Sequence, residues 1–263
     1  MKIGVTQIIL GGMSLDETLD LCTEAGYEAL ELVFAEGKDL DIKMGDDEIR
    51  SVKKKCDDAG IEVKSSKSDY AEKGNMLSRD ATERENARKC LVRSIEIAHV
   101  LEAGAVLLHP GQLTADGTFD QAWDGLLGIL RETAPLAEEK EVAVGVENVW
   151  NKFLLSPREM ADFVDDVGSD WIGTYLDTAN MMAYGFPEHW VRGLGGRIKR
   201  VHFKDFARRA HQFVDLMDGD TDWPLLMSEL RGIGYDLPVI HEVGGDREAL
   251  IETAKRMKKI VAM

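Results

Sequence analysis

"EAGYEALEL", residues 24–32, decides how the chain is read. It runs from a helical repeat of apolar residues into a β-type run through a single glycine, Gly26. The same joint returns as "DAGIEVKSS" (58–66), "EAGAVLLHP" (102–110) and "GIGYDLPVIHE" (232–242). A left-handed backbone costs glycine little, so Gly26, Gly60, Gly104 and Gly234 are expected helix C-caps.

Working outward, β-type runs recur along the chain: "KIGVTQ", "ALELVF", "IEVKSS", "AVLLHP", "VAVGVEN", "IGTYLD", "KRVHFKD" and "PVIHEV". Segments of helical periodicity separate them, such as "LDETLDLCTEAG" and "DEIRSVKKKCDDAG". Ser14 with Glu17, and Ser156 with Glu159, fit capping boxes. Pro157 falls at the favoured first helical position, and Asp246 opens the last helix. Strand and helix alternate from end to end, and no linker rich in Pro, Gly or Ser divides the chain. The expected fold is α/β, with parallel strands joined by right-handed crossovers in one domain spanning residues 1–263. Eight such units make a (β/α)₈ TIM barrel. An open doubly wound sheet competes, but "TQIILGGMS" (6–14) is a poor match to the glycine-rich phosphate loop that fold usually carries.

Lysine and arginine total 32 against 48 acids, a formal charge of −16. That surface repels a phosphate backbone, so nucleic acid is not an expected partner. The basic run "RIKRVHFKDFARR" (197–209) reads either as a solvated strand end and loop or as a local anion site. Cys22, Cys56 and Cys90 lie far apart in helical segments with no C-x-x-C, which predicts buried thiols in a reducing compartment and a cytoplasmic protein. "MKIGVTQIILGG" is too short and interrupted for a signal peptide, and no apolar run is long enough to span a membrane. A homo-oligomer is left open.

In a barrel of this type the C-terminal strand ends build the active site. They offer Gln7, Glu31, Ser65 with Ser66, and His109, then Glu147, Asp177, His202 and Glu242. A single strand-end carboxylate is more often a helix cap or a loop salt bridge, and a single strand histidine is more often structural. Four consecutive strands ending in three carboxylates and one imidazole point instead to one metal site. The set suits one divalent ion of the Mn²⁺, Mg²⁺ or Co²⁺ kind, with Zn²⁺ also accommodated. Ala143 and Gly145 share the face of Glu147 and leave room inside the barrel, while Val144 and Val146 face the helices.

"GVENV", "LDTAN", "VHFKD" and "IHEVG", in that order, resemble the sugar phosphate isomerase/epimerase family of xylose isomerase-like barrels. Ketose 3-epimerases and L-ribulose-5-phosphate 3-epimerases are the nearest in character. The resemblance covers the whole chain, including "GYEALEL" and "DGDTDWPLLMSELRGIGYD". It implies that Glu147, Asp177, His202 and Glu242 hold one divalent metal, and that Glu147 and Glu242 also act as acid and base. The chemistry agrees: a metal on a carbonyl and adjacent hydroxyl stabilises an enediolate. One carboxylate removes the proton and the other returns it from the opposite face, inverting the carbon. A small sugar is then the expected partner.

Glu31, His109, Asn180, Lys204 and Arg208 are further candidates for substrate contact, with Arg209 beside Arg208. Lys204 reads alternatively as a salt-bridge partner of Asp205. Many relatives carry a glycine after the aspartate, or a histidine three residues on, where this chain has Thr178 and Asn180, so no one relative's substrate choice carries over. A free sugar or neutral keto-sugar is slightly favoured over a phosphate. A lyase or dehydratase acting on an inosose or keto-sugar needs the same metal and base and is the main alternative. The three-zinc nucleases of abasic DNA are more remote. They add histidines after the sixth strand and an Asp-x-His after the seventh, whereas here Asn180 and "VDLMDGDTD" (214–222) stand in those places.

Overall fold

Alternation sorts each strand's side chains between two layers, and that sorting closes the sheet. On the strand Ala143–Glu147, Val144 and Val146 join the apolar layer under the helices, while Gly145 and Glu147 face inward. The computed structural model describes residues 1–69 and 74–263. Its strands are β1 (Ile3–Thr6), β2 (Ala29–Phe34), β3 (Glu62–Ser68), β4 (Ala105–Leu108), β5 (Ala143–Glu147), β6 (Ile172–Asp177) and β7 (Ile198–Phe203). After them come β8 (Asp205–Ala207), β9 (Gln212–Val214) and β10 (Val239–His241). All the expected strands form, and they close a barrel in the order β1-β10-β7-β6-β5-β4-β3-β2 with every pairing parallel. The fold is the expected (β/α)₈ TIM barrel.

The crossovers are α1 (Leu15–Ala25), α2 (Asp46–Asp58), α3 (Ala81–Val100), α4 (Phe119–Glu139), α5 (Pro157–Val167), α6 (Pro187–Leu194), α7 (Trp223–Gly232) and α8 (Arg247–Val261). Both capping boxes form: Ser14 accepts from the Glu17 amide and Ser156 from the Glu159 amide, with each glutamate returning to the cap amide. Asp246 caps α8 through the Ala249 amide. Gly26 is the left-handed C-cap of α1. Gly60 and Gly234 sit one residue beyond their caps, Ala59 and Ile233. Gly104 is not a cap. Glu102, at φ 55°, makes the left-handed step after α3, and Gly104 only redirects the chain into β4. Cys22, Cys56 and Cys90 are buried, and among the described residues no disulfide joins them. Among the described residues no helix is long and apolar enough to cross a membrane.

One element is absent from the reading of the sequence. "DFARRAHQFV" folds as an antiparallel hairpin of β8 on β9, beside the barrel mouth. Asp205 anchors it. Its buried carboxylate accepts from the Met217 amide at 2.9 Å, the Thr221 hydroxyl at 2.7 Å and the Trp223 indole at 3.2 Å. Asp205 is therefore taken up by its own loop, and Lys204 pairs elsewhere.

Candidate metal centre

Glu147, Asp177 and His202 lie at the ends of β5, β6 and β7, and Glu242 directly follows β10, on four adjacent staves of the barrel wall. Lateral register brings them level: Asp177 is paired with His202, and His202 with Ile240, two residues before Glu242. Each side chain offers one ligating atom, and these atoms all lie within 4.8 Å of one another. Glu147, Asp177 and His202 are buried, and the Glu242 side chain is 13% exposed.

Local hydrogen bonds aim the ligands. The amides of Ala179 and Asn180 both donate to Asp177 Oδ1, at 2.8 and 2.7 Å, leaving Oδ2 without a hydrogen bond. Asn148 straps the same residue down: its Oδ1 accepts from the Asp177 amide at 2.8 Å and its Nδ2 donates to the Asp177 carbonyl at 2.9 Å. The Asn180 amide group donates to the Asn148 carbonyl at 3.0 Å and to Glu147 Oε1 at 3.4 Å. His202 Nε2 lies 3.1 Å from Glu31 Oε1, which leaves buried Nδ1 without a hydrogen bond, 3.7 Å from Glu242 Oε2. A buried polar atom without a partner costs about 1–3 kcal/mol. Two of them, on an imidazole and a carboxylate within one three-oxygen, one-nitrogen cluster, fit a divalent cation.

Glu31 organises the layer beneath. It accepts from Thr6 at 2.8 Å, Ser65 at 2.7 Å and Tyr175 at 2.6 Å, besides His202. Burial opposes its charge, but the His202 imidazole and the Tyr175 and Ser65 hydroxyls overcome that and hold it down at about 2. Tyr175 reaches across the barrel because Gly145 leaves the space: a Cβ there would stand 2.9 Å from that of Tyr175. His202 is driven the other way. Burial opposes its protonation, yet Glu31, Glu242 and Glu147 together raise it to about 9.

The two glutamates are pushed apart. Burial first, and then the charge of Glu242, raise Glu147 to about 8. Burial also acts against ionised Glu242, but His202 and Lys204 outweigh it and lower its pKa. Lys204 Nζ donates to Glu242 Oε2 at 2.7 Å and lies 3.7 Å from Asp177 Oδ2. Two carboxyls of opposite tendency in one site is the pattern expected of an acid and a base.

The remaining sequence candidates have distinct places. Asn180 and Lys204 touch the cluster, while Glu31 lies under it with its oxygens engaged by the protein. Arg208 turns to the Met182 carbonyl at 2.7 Å and over the Phe186 ring at 4.4 Å. Exposed His109 follows β4, and its Nδ1 accepts from the Gly111 amide at 3.1 Å. Asn148 and Tyr175 have no part in the sequence reading, and Ser65 enters it only as a strand end. Tyr175 lies two residues before Asp177 on the same inward face, and that alternation is the signal that could have found it.

The geometry defines a (β/α)₈ barrel with, at its mouth, a carboxylate–histidine cluster that could hold a metal ion. A family model described as "Xylose isomerase-like TIM barrel" matches residues 19–260, and the chain belongs to that family. Among curated relatives, a probable endonuclease 4 of Mycobacterium ulcerans is 29% identical over 181 residues, 64% of this chain and 68% of its own. A D-psicose 3-epimerase of Enterocloster bolteae is 28% identical over 150 residues, 55% of this chain and 48% of its own. A D-tagatose 3-epimerase-like protein superposes with TM-score 0.84 at 20% identity, over 100% of this chain and 97% of its own. An L-ribulose 3-epimerase does so with TM-score 0.83 at 21%, over 99% and 93%. The IOLI protein, whose structure holds a zinc atom, gives TM-score 0.82 at 19%, over 100% and 98%. At those identities the superpositions establish the shared fold; structural neighbours of this chain include ketose 3-epimerases.

Proposed function

We propose that the protein is a divalent-metal-dependent sugar isomerase or epimerase, most closely of the ketose 3-epimerase type. The observation that carries this is the convergence of Glu147, Asp177, His202 and Glu242 within 4.8 Å. These four residues would hold the ion, which acts as a Lewis acid toward a substrate carbonyl. Mn²⁺, Mg²⁺, Co²⁺ and Zn²⁺ all suit the donor set.

Glu242 and Glu147 come from the two ends of the four-stave arc, so they flank whatever lies between them. Glu242, held ionised by His202 and Lys204, takes the proton beside the carbonyl. Glu147, whose burial favours the protonated form, returns one from the other side. Lys204 keeps Glu242 oriented and offers a donor to a sugar oxygen, and Asn180 does the same beside Glu147. Glu31 and Tyr175 fix the His202 ring, and His109 and Arg208 stand further out on the rim.

The endonuclease relative motivates a second reading, hydrolysis of abasic DNA. A three-metal site needs more ligands than the one cluster found among the described residues, and the charge of −16 repels DNA. The deciding experiment incubates the metal-loaded protein with ketoses, keto-inositols, their phosphates and an abasic duplex, following solvent-deuterium exchange and product. Epimer formation with exchange is the expected result. Loss of water from the substrate would make the enzyme a dehydratase, and strand scission would make it a nuclease.

A further inference from the structure

Three large aromatic side chains stand exposed on one side of the barrel mouth: Trp150 at 47%, Phe213 at 39% and Tyr184 at 51%. They come from the loops after β5 and β6 and from the hairpin. Trp150 follows Glu147 by three residues and is fixed by its indole N–H, which donates to the Asn180 carbonyl at 2.5 Å. Its ring stacks on Phe213 at 5.2 Å and on His211 at 5.9 Å. Phe213 in turn lies 4.6 Å under Lys204 Nζ, the ammonium that holds Glu242.

Two clefts border this wall, one reaching Phe213 and the other Trp150, the two rings that stack on each other. One, of about 360 Å³, is bordered by Glu242, Lys204 and Phe213. The other, of about 340 Å³, is bordered by Trp150, Leu155, Tyr184 and His211. The first contains one of the proposed acid/base groups. The second contains none of the four clustered ligands and is bounded by aromatic faces with a few polar tips.

We propose that the second cleft is a subsite for another sugar ring, so that the substrate is a glycosylated keto-sugar. This rests on the isomerase/epimerase reading above. The C–H face of a neutral pyranose is apolar and packs on aromatic rings, while its hydroxyls reach the tips of Tyr184, His211 and Lys152. Arg208 is turned onto Met182 and Phe186, so Lys152 is the cation that borders this cleft. The clefts have small-molecule dimensions. A second copy of the chain would need a broad surface of roughly 800 Å² per partner instead.

The test titrates metal-loaded protein calorimetrically with lactulose, turanose and isomaltulose, ketoses carrying a second ring, against D-fructose. At least one disaccharide should bind roughly tenfold more tightly than fructose, about 1.4 kcal/mol. Trp150→Ala and Tyr184→Ala, which remove rings bordering the second cleft, should each collapse that ratio, while Tyr184→Phe keeps most of it, with folding verified by circular dichroism. Equal affinities, or a ratio untouched by both alanine variants, overturns the subsite. So does a dimer by sedimentation whose Trp150 loop is protected from hydrogen exchange. Disaccharide preference without any turnover would sink the epimerase reading and leave the subsite standing; epimerised fructose without preference would do the reverse.

Discussion

His202 Nε2 and Glu31 Oε1 meet at 3.1 Å in the fully buried centre of the barrel, though 171 residues separate them in the chain. The contact makes Nε2 the donor nitrogen and turns Nδ1 toward the carboxylates. A metal-ligating histidine held this way loses about 10–100-fold in metal affinity when its outer partner is removed. Glu31→Gln should therefore weaken zinc or manganese binding by that factor while the fold persists. Unchanged affinity in a chelator competition assay would show that Glu31 does not position the ring.

Glu147 and Glu242 should prove separable as metal ligands and proton carriers. Changing either to Gln keeps an oxygen donor but removes the titrating group, and should lower turnover by about 10²–10⁴-fold. Bound metal, measured on the same samples by mass spectrometry, shows whether the ion is still present. Near-normal turnover in metal-loaded Glu242→Gln would remove that residue from the mechanism.

The metal-free protein should lose stability as the pH is raised. Burial and the charge of Glu242 hold Glu147 up at about 8, above its unfolded value of 4.5. The folded state thus binds a proton that the unfolded chain releases. The stabilisation is fully present below the unfolded value and disappears as pH climbs through about 8. Metal binding must also displace protons from Glu147 and from His202, itself raised to about 9, so metal affinity should increase across the same range. Urea titrations of metal-free protein from pH 5 to 9 check the first trend. A flat profile would contradict it.

Gly145→Ala should be disruptive for a reason local to one pair. The new Cβ would lie 2.9 Å from Tyr175 Cβ and 3.0 Å from its backbone nitrogen. Overpacking of this kind costs about 1–3 kcal/mol, and shifting Tyr175 would loosen Glu31 as well. Lower stability together with weaker metal binding is the expected pair of outcomes; thermal melts and the chelator assay measure them.

Asp205→Ala should release the hairpin. Five donors from residues 217–223 lose a buried acceptor, at about 1–3 kcal/mol for each left unsatisfied. Limited proteolysis should then cut within residues 208–218, where the wild-type protein resists.

The sequence by itself determined the barrel and which four side chains would share its mouth, for physical reasons that are local. Period-2 alternation with a helical segment after each run yields parallel strands, and parallel strands of one barrel end at one mouth. Glu147, Asp177, His202 and Glu242 were legible because each closes its own strand. Capping boxes at Ser14 and Ser156 were legible because their partners lie three residues away. Tertiary structure alone decided the rest. Barrel closure placed Glu31, a substrate-contact candidate, under His202, and the hairpin claimed Asp205, the alternative partner of Lys204, leaving that lysine, itself a substrate-contact candidate, to Glu242. Tyr175 spanning the barrel over Gly145, and the Trp150–Phe213 wall, depend on side chains from strands and loops distant in sequence. Their contacts follow from register, closure and rotamer, none of which is written in the periodicity of any one segment.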